Sequence, residues 1–176
     1  NVMLIRTKHI AKIIALVVLA AGLTGCFKSS AELISADEAD YPFQTMTYTP
    51  DGEDDNVTLE RAGDRYLAAG ENAKVSVRLK ALGNDQFVVQ ITDIKEAGPV
   101  HLYGIIKLAP DKASFELIKG VAEAEDLKAA AGGAAGFAVC PDDDGSVCIT
   151  ALQGFAGYAM AATGSGAKRF NILAME

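Results

Sequence analysis

The sequence predicts an α+β domain: an antiparallel β meander, barrel-like where its ends meet, with one or two helices packed on it. Three observations predict it. Apolar and polar residues alternate in short runs between residues 45 and 119. Turn-forming residues punctuate those runs at hairpin spacing. Two later stretches are helical instead, one rich in Ala, Glu and Lys and one with apolar residues at helical spacing.

The strands follow in order. Residues 45–49 are β-prone and end at Pro50-Asp51-Gly52. Residues 57–61 alternate with Val57 and Leu59 on one face, and Ala62-Gly63-Asp64 turns the chain into residues 65–69. In residues 74–82, Val75, Val77, Leu79 and Ala81 point inward while Ser76, Arg78 and Lys80 point outward. Gly83-Asn84-Asp85 is a strong turn, because glycine and asparagine tolerate positive φ. Phe87, Val89 and Ile91 then line one face of the next strand. Residues 100–108 and 113–119 pair across Ala109-Pro110-Asp111-Lys112, and residues 169–175 form a final strand. Three of the turns are followed closely by an aromatic residue: Tyr66, Phe87 and Phe115. A meander of this kind must close, pack on a helix or protect its edges.

Two stretches supply the helices. Residues 123–131 are rich in Ala, Glu and Lys and stop at Gly132-Gly133. Thr150-Ala151-Leu152-Gln153 fits a capping box, and Leu152, Phe155, Ala156 and Ala159 recur at helical spacing. Gly154 and Gly157 each weaken that helix by about 1 kcal/mol relative to alanine, and would allow close helix–sheet approach.

The first 26 residues differ from the rest. Arg6, Lys8 and Lys12 form a basic region, residues 13–23 are apolar, and Leu23-Thr24-Gly25-Cys26 follows. Met3 is the expected start. The apolar stretch is shorter than the roughly 20 residues a spanning helix requires. This order resembles the bacterial lipoprotein signal, which ends Leu-small-Gly-Cys. The resemblance implies cleavage before Cys26, a diacylglyceryl thioether on Cys26 and acylation of the new amino terminus. More than one acyl chain gives stable anchoring. Phe27, rather than aspartate, follows the cysteine, so the resemblance implies the periplasmic face of the outer membrane. The expected organisation is a signal peptide at 1–25, the lipidated cysteine and a tether at 26–40, and one periplasmic domain at 41–176.

Removal of the leader leaves 151 residues, enough for one domain with an adequate core. It also removes three of sixteen basic residues and no acidic ones, so thirteen remain against twenty-three, a charge of −10. That surface repels phosphate backbones, and no basic stripe or stacking motif accompanies it, so nucleic acid is not an expected partner. The field favours basic partners. With Cys26 assigned to the lipid, Cys140 and Cys148 form an even pair in an exported protein, and a disulfide is expected. Residues 141–147 read as a hairpin connection, and closing so short a loop contributes about 2–3 kcal/mol in the chain-entropy model.

Catalytic and metal motifs are sparse. His101 is the only histidine beyond the leader, placed opposite Leu102 on a strand and expected to be half exposed. No Gly-x-Ser-x-Gly elbow accompanies it. No set of nitrogen and sulfur ligands surrounds it either. The acidic stretches at 51–55 and 142–144 lack EF-hand spacing and read as turns. No cofactor beyond the covalent lipid is expected. Ser165-Gly166-Ala167-Lys168 is similar to part of the Ser-Gly-x-x-Tyr segment of membrane-bound inhibitors of c-type lysozyme, which are also small, lipid-anchored β-barrels. Arg169 stands at the tyrosine position. That resemblance implies Ser165, Gly166 and Lys168 as partner-binding residues. The leading expectation is a non-enzymatic binding or envelope-assembly module, held at the membrane by its lipid and contacting an envelope protein. An inhibitor of a basic cell-wall hydrolase and a hydrolase using carboxylates are the alternatives.

Overall fold

The structure is a computed structural model describing residues 27–50, 56–69, 75–93, 101–118, 137–139, 147–161 and 168–176. These residues form β1 (Phe27–Ser29), β2 (Thr45–Thr49), β3 (Val57–Ala62), β4 (Arg65–Ala68), β5 (Val75–Gly83), β6 (Gln86–Asp93), β7 (His101–Leu108), β8 (Ser114–Ile118), β9 (Phe137–Val139), β10 (Val147–Ile149), α1 (Leu152–Ala161) and β11 (Lys168–Met175).

Strands β2 to β8 pair antiparallel, each with the next, and β11 pairs with both β8 and β2. The meander therefore closes into an eight-stranded barrel. Closure removes the open edges that a flat meander would expose. The fold is mostly β, with one short helix among the described residues, rather than an even α+β balance. The helix expected at 123–131 lies outside those residues.

The two barrel ends differ. At one end the strands join through tight turns. Asn84 and Asp85 have φ of 53° and 58° between the paired Gly83 and Gln86, the backbone a two-residue hairpin turn requires. Gly63 has φ of 67° in the turn from β3 to β4, where a side chain would be strained. Lys112 has φ of 56° in the turn from β7 to β8, where its N–H donates to the Ala109 carbonyl at 2.8 Å. Tyr66, Phe87 and Phe115, the aromatics that follow these turns in the sequence, are all buried inside the barrel near this end. The Tyr66 ring stacks on Phe43 at 4.4 Å between centroids, and its hydroxyl donates to the Phe43 carbonyl at 2.8 Å. The connections β2–β3, β4–β5, β6–β7 and β8–β9 all leave from the opposite end.

Alternation sorts the side chains. Val77, Leu79, Phe87, Val89, Ile91, Ile106 and Leu108 face the barrel core with Met46, Tyr48, Phe115 and Phe170. The outward positions of β6 and β7 are covered as well. A second cluster there joins Val88, Tyr103 and Ile105 to Phe27, Ile34, Ile149, Phe155 and Ala156. Its cover is a small sheet in which β1 pairs with residues 101–103 of β7, β10 runs parallel to β1, and β9 pairs antiparallel with β10. Helix α1 packs Phe155 against Phe27, with ring centroids 4.8 Å apart.

The helix begins one residue later than the capping box places it, with the Phe155 N–H donating to the Ala151 carbonyl. Gly157 is exposed, and a Cβ there would meet nothing within 4 Å, so no close approach requires that glycine.

Candidate functional site

Strand β1 starts one residue after Cys26, and residues 27–41 run as a strap across the outside of the barrel. The stretch expected to be a tether is thus part of the fold. Phe27 and Ile34 provide the physical reason: both are buried, at 4% and 0% exposure, and a solvated tether would leave them in water.

The barrel face beneath the strap is polar and buried. Ser76, Arg78, Gln90, Thr92 and His101 all point outward and are covered. Such groups are costly to bury unless each finds a partner. Arg78 finds four. Its Nε donates to the Asp64 carbonyl at 3.0 Å and its Nη1 to the Ile34 carbonyl at 3.1 Å. The same guanidinium forms ion pairs with Glu32 on the strap and Asp64 on the β3–β4 turn. Arg65 also bonds Asp64, at 2.9 Å. Together Arg65 and Arg78 hold the Asp64 carboxyl well below the usual carboxylate range.

Gln90 and Tyr103 read the strap backbone. Gln90 Oε1 accepts the Ile34 N–H at 2.8 Å and the Leu33 N–H at 3.0 Å. The Tyr103 hydroxyl accepts the Leu33 N–H at 2.9 Å and donates toward Gln90 Oε1 at 2.8 Å, with the Ala31 carbonyl at 3.1 Å. Burial pushes the Tyr103 pKa up, so the phenol stays protonated and able to donate.

Farther along the strap, the Asp40 N–H donates to the Leu79 carbonyl at 2.8 Å, and its carboxylate accepts the Ala81 N–H at 2.7 Å. Asp40 thereby completes the edge of β5 beyond the short β4, which reaches only Ser76 and Val77.

His101 does lie opposite Leu102, yet it is buried at 5% exposure rather than half exposed. The cause is the strap: Ser29 of β1 pairs directly with it. Its Nδ1 lies 2.8 Å from Thr92 Oγ1. Burial lowers its pKa, so the neutral imidazole is favoured in the fold. Engaged with Thr92 under the strap, His101 acts as a packed polar residue.

Of the site residues expected from sequence, Cys26, Cys140, Ser165 and Gly166 lie outside the described residues, as do the acidic stretches at 51–55 and 142–144. Lys168 opens β11 opposite Leu117, and Arg169 reaches Glu116 at 3.5 Å. Cys148 sits on β10 opposite Ala138 and beside Lys28 of β1. The antiparallel pairing of β9 with β10 fits the hairpin expected across residues 141–147, with the difference that Val147 already belongs to β10. Among the described residues, no group of three or more His, Cys, Asp and Glu side chains is placed to hold a metal, and no helix is long and apolar enough to cross a membrane.

The residues that organise this face, Arg78, Gln90 and Tyr103, are not singled out by sequence reasoning. Their outward positions on alternating strands read as solvent-facing. The available signal is that Gln90 lies within the strongly apolar run Phe87-Val88-Val89-Gln90-Ile91, where Val88 on the same face is also apolar. A face alternating Val with Gln is one that something covers.

Comparison with protein-family models, with curated proteins and with solved structures finds no match to this chain.

Proposed function

We propose that the protein is a lipid-anchored, non-enzymatic binding or envelope-assembly module, held through Cys26 at the periplasmic face of the outer membrane. One observation carries this reading beyond the signal sequence. The residue after Cys26 begins a strand that is paired on both edges and buried against α1. A lipid on Cys26 is then joined to the barrel without a leash and presents one fixed face of it to the envelope. Restriction to a surface raises effective concentration and lets a weak contact persist. The acidic surface steers basic regions of a partner through an encounter sensitive to salt.

Metabolic labelling with an alkyne fatty acid tests the anchor. The wild-type chain is expected to take up label and fractionate with the outer membrane, and Cys26→Ser to take up none. An unlabelled wild-type chain retained in the membrane with its leader intact would establish a transmembrane anchor instead. Cross-linking in intact cells then addresses the partner: repeated capture of one envelope protein fits an assembly module, whereas capture of a lysozyme fits an inhibitor.

The proposal includes a Cys140–Cys148 disulfide. The pairing of Val139 with Val147, each the residue before one of the two cysteines in sequence, supports it. In the processed protein, both thiols are expected to resist alkylation until reduced, as read by mass spectrometry. Two cysteines alkylated without reductant would rule the bond out.

A further inference from the structure

An eight-stranded barrel is just wide enough for side chains to fill it or for one small ligand to enter. Here the filling is incomplete. A cavity of about 30 Å³ lies within the barrel, lined by apolar residues that include Met46, Val89, Ile106 and Phe115.

Two features of the lining are unusual for a simple core. Gly104 occupies an interior position of β7, in the alternation that also sends Leu102 and Ile106 inward, directly opposite Val89. A glycine within a strand packs nothing and often marks where another molecule approaches closely. Tyr48 also lines the cavity, is 1% exposed, and its hydroxyl has no hydrogen-bond partner among the described residues. A buried hydroxyl without a partner is destabilising, and a phenylalanine would fill the same space without that cost.

We propose that the barrel interior is a binding site for a neutral, apolar small molecule carrying one hydrogen-bond acceptor, which the Tyr48 hydroxyl meets. The acceptor follows from chemistry. Burial pushes the Tyr48 pKa well above the ordinary phenol range, so the group remains a donor. Neutrality follows from the lining, which among the described residues contains no charged side chain to balance an ionised ligand. A water molecule is a poor substitute, since buried water needs two to four polar partners and, among the described lining side chains, Tyr48 alone offers one. A ligand larger than the present void displaces Met46, whose unbranched side chain repacks readily. Binding here needs no lipid on Cys26.

The test uses the full chain in phospholipid nanodiscs, with 2-heptanone and n-heptane as matched probes and the methyl resonances of Val89 and Ile106 as the readout. Empty nanodiscs give the background partitioning. The ketone is expected to shift both methyls saturably, and Tyr48→Phe to weaken it about tenfold while leaving heptane unchanged. Without a probe, Tyr48→Phe is expected to raise Tm, because the orphan hydroxyl is gone. Equal ketone affinity in both proteins would overturn the proposal. So would methyls that respond to neither probe, or an unchanged or lower Tm, which would show a hydroxyl already satisfied by water. Gly104→Ala gives a second reading, since an added methyl in the cavity should weaken both probes; unchanged binding would place them elsewhere.

Discussion

Phe155→Ala is expected to destabilise the protein by about 4 kcal/mol in urea denaturation. Phe155 is 1% exposed, touches Phe27 at 4.8 Å and lies edge-on to Tyr103 at 6.4 Å between ring centroids. Among the described side chains of α1 it is the most deeply buried in the outer cluster, alongside Ile34, Val88, Ile105 and Ile149. Truncation removes a large apolar surface and leaves a void bounded by rigid β strands, which cannot collapse around it. The helix has little strength of its own, since Gly154 and Gly157 lower its propensity and neither acidic residues in its first turn nor basic ones in its last support its dipole. Its persistence rests on this packing. Amide exchange in the variant should therefore accelerate first in α1 and residues 27–41, while the interior strands β5 and β6 stay protected. A loss below about 1 kcal/mol would mean that α1 is not held on the barrel as described.

What the sequence made legible tracks how local each interaction is. Residues 45–49 alternate between two faces and bound their strand as observed, because a half-buried strand writes its own period into the chain. Asn84-Asp85 reads as a turn because positive φ restricts residue choice at that point alone. The aromatics after three turns are visible as a pattern, and their common location at one barrel end follows once the meander closes. Strand β1 is different. Phe27-Lys28-Ser29 is three residues long, too short for a period, and it follows a leader-like stretch that suggests a polar tether. Its partners, Tyr103 and Val147, are remote in sequence, and nothing near Phe27 encodes them. The polar face of β5 to β7 was hidden for the same reason. Arg78 and Gln90 look solvated until the strap is laid over them. Tyr48 shows the converse case: an inward residue on an alternating strand, whose unpaired hydroxyl is apparent only when the interior is assembled around it.

Arg78→Met is expected to cost about 3 kcal/mol near neutral pH, from the loss of charge-assisted hydrogen bonds in a covered site. The Arg78 side chain is 6% exposed, and methionine matches its stem while removing every donor. Glu32 and Asp64 are 45% and 38% exposed, so water takes over their carboxylates in the variant. The Ile34 carbonyl is buried, and both it and the part-buried Asp64 carbonyl lose their side-chain donor outright. The cost therefore falls mainly on the seating of the strap, and faster amide exchange in residues 31–35 is the local readout. Acid provides an independent one. Asp64 is held below its ordinary value of 3.8 by Arg65 first and Arg78 second, so the fold favours its ionised form. That contribution is fully present above the unfolded pKa and fades as pH falls through the carboxylate range toward the folded one. Arg78→Met removes part of it and leaves the Arg65 part, so stability should fall less steeply in the variant than in the wild type between about pH 5 and about pH 2. Parallel acid limbs in the two proteins, with strap exchange unchanged, would show that Arg78 does not join the turn to the strap.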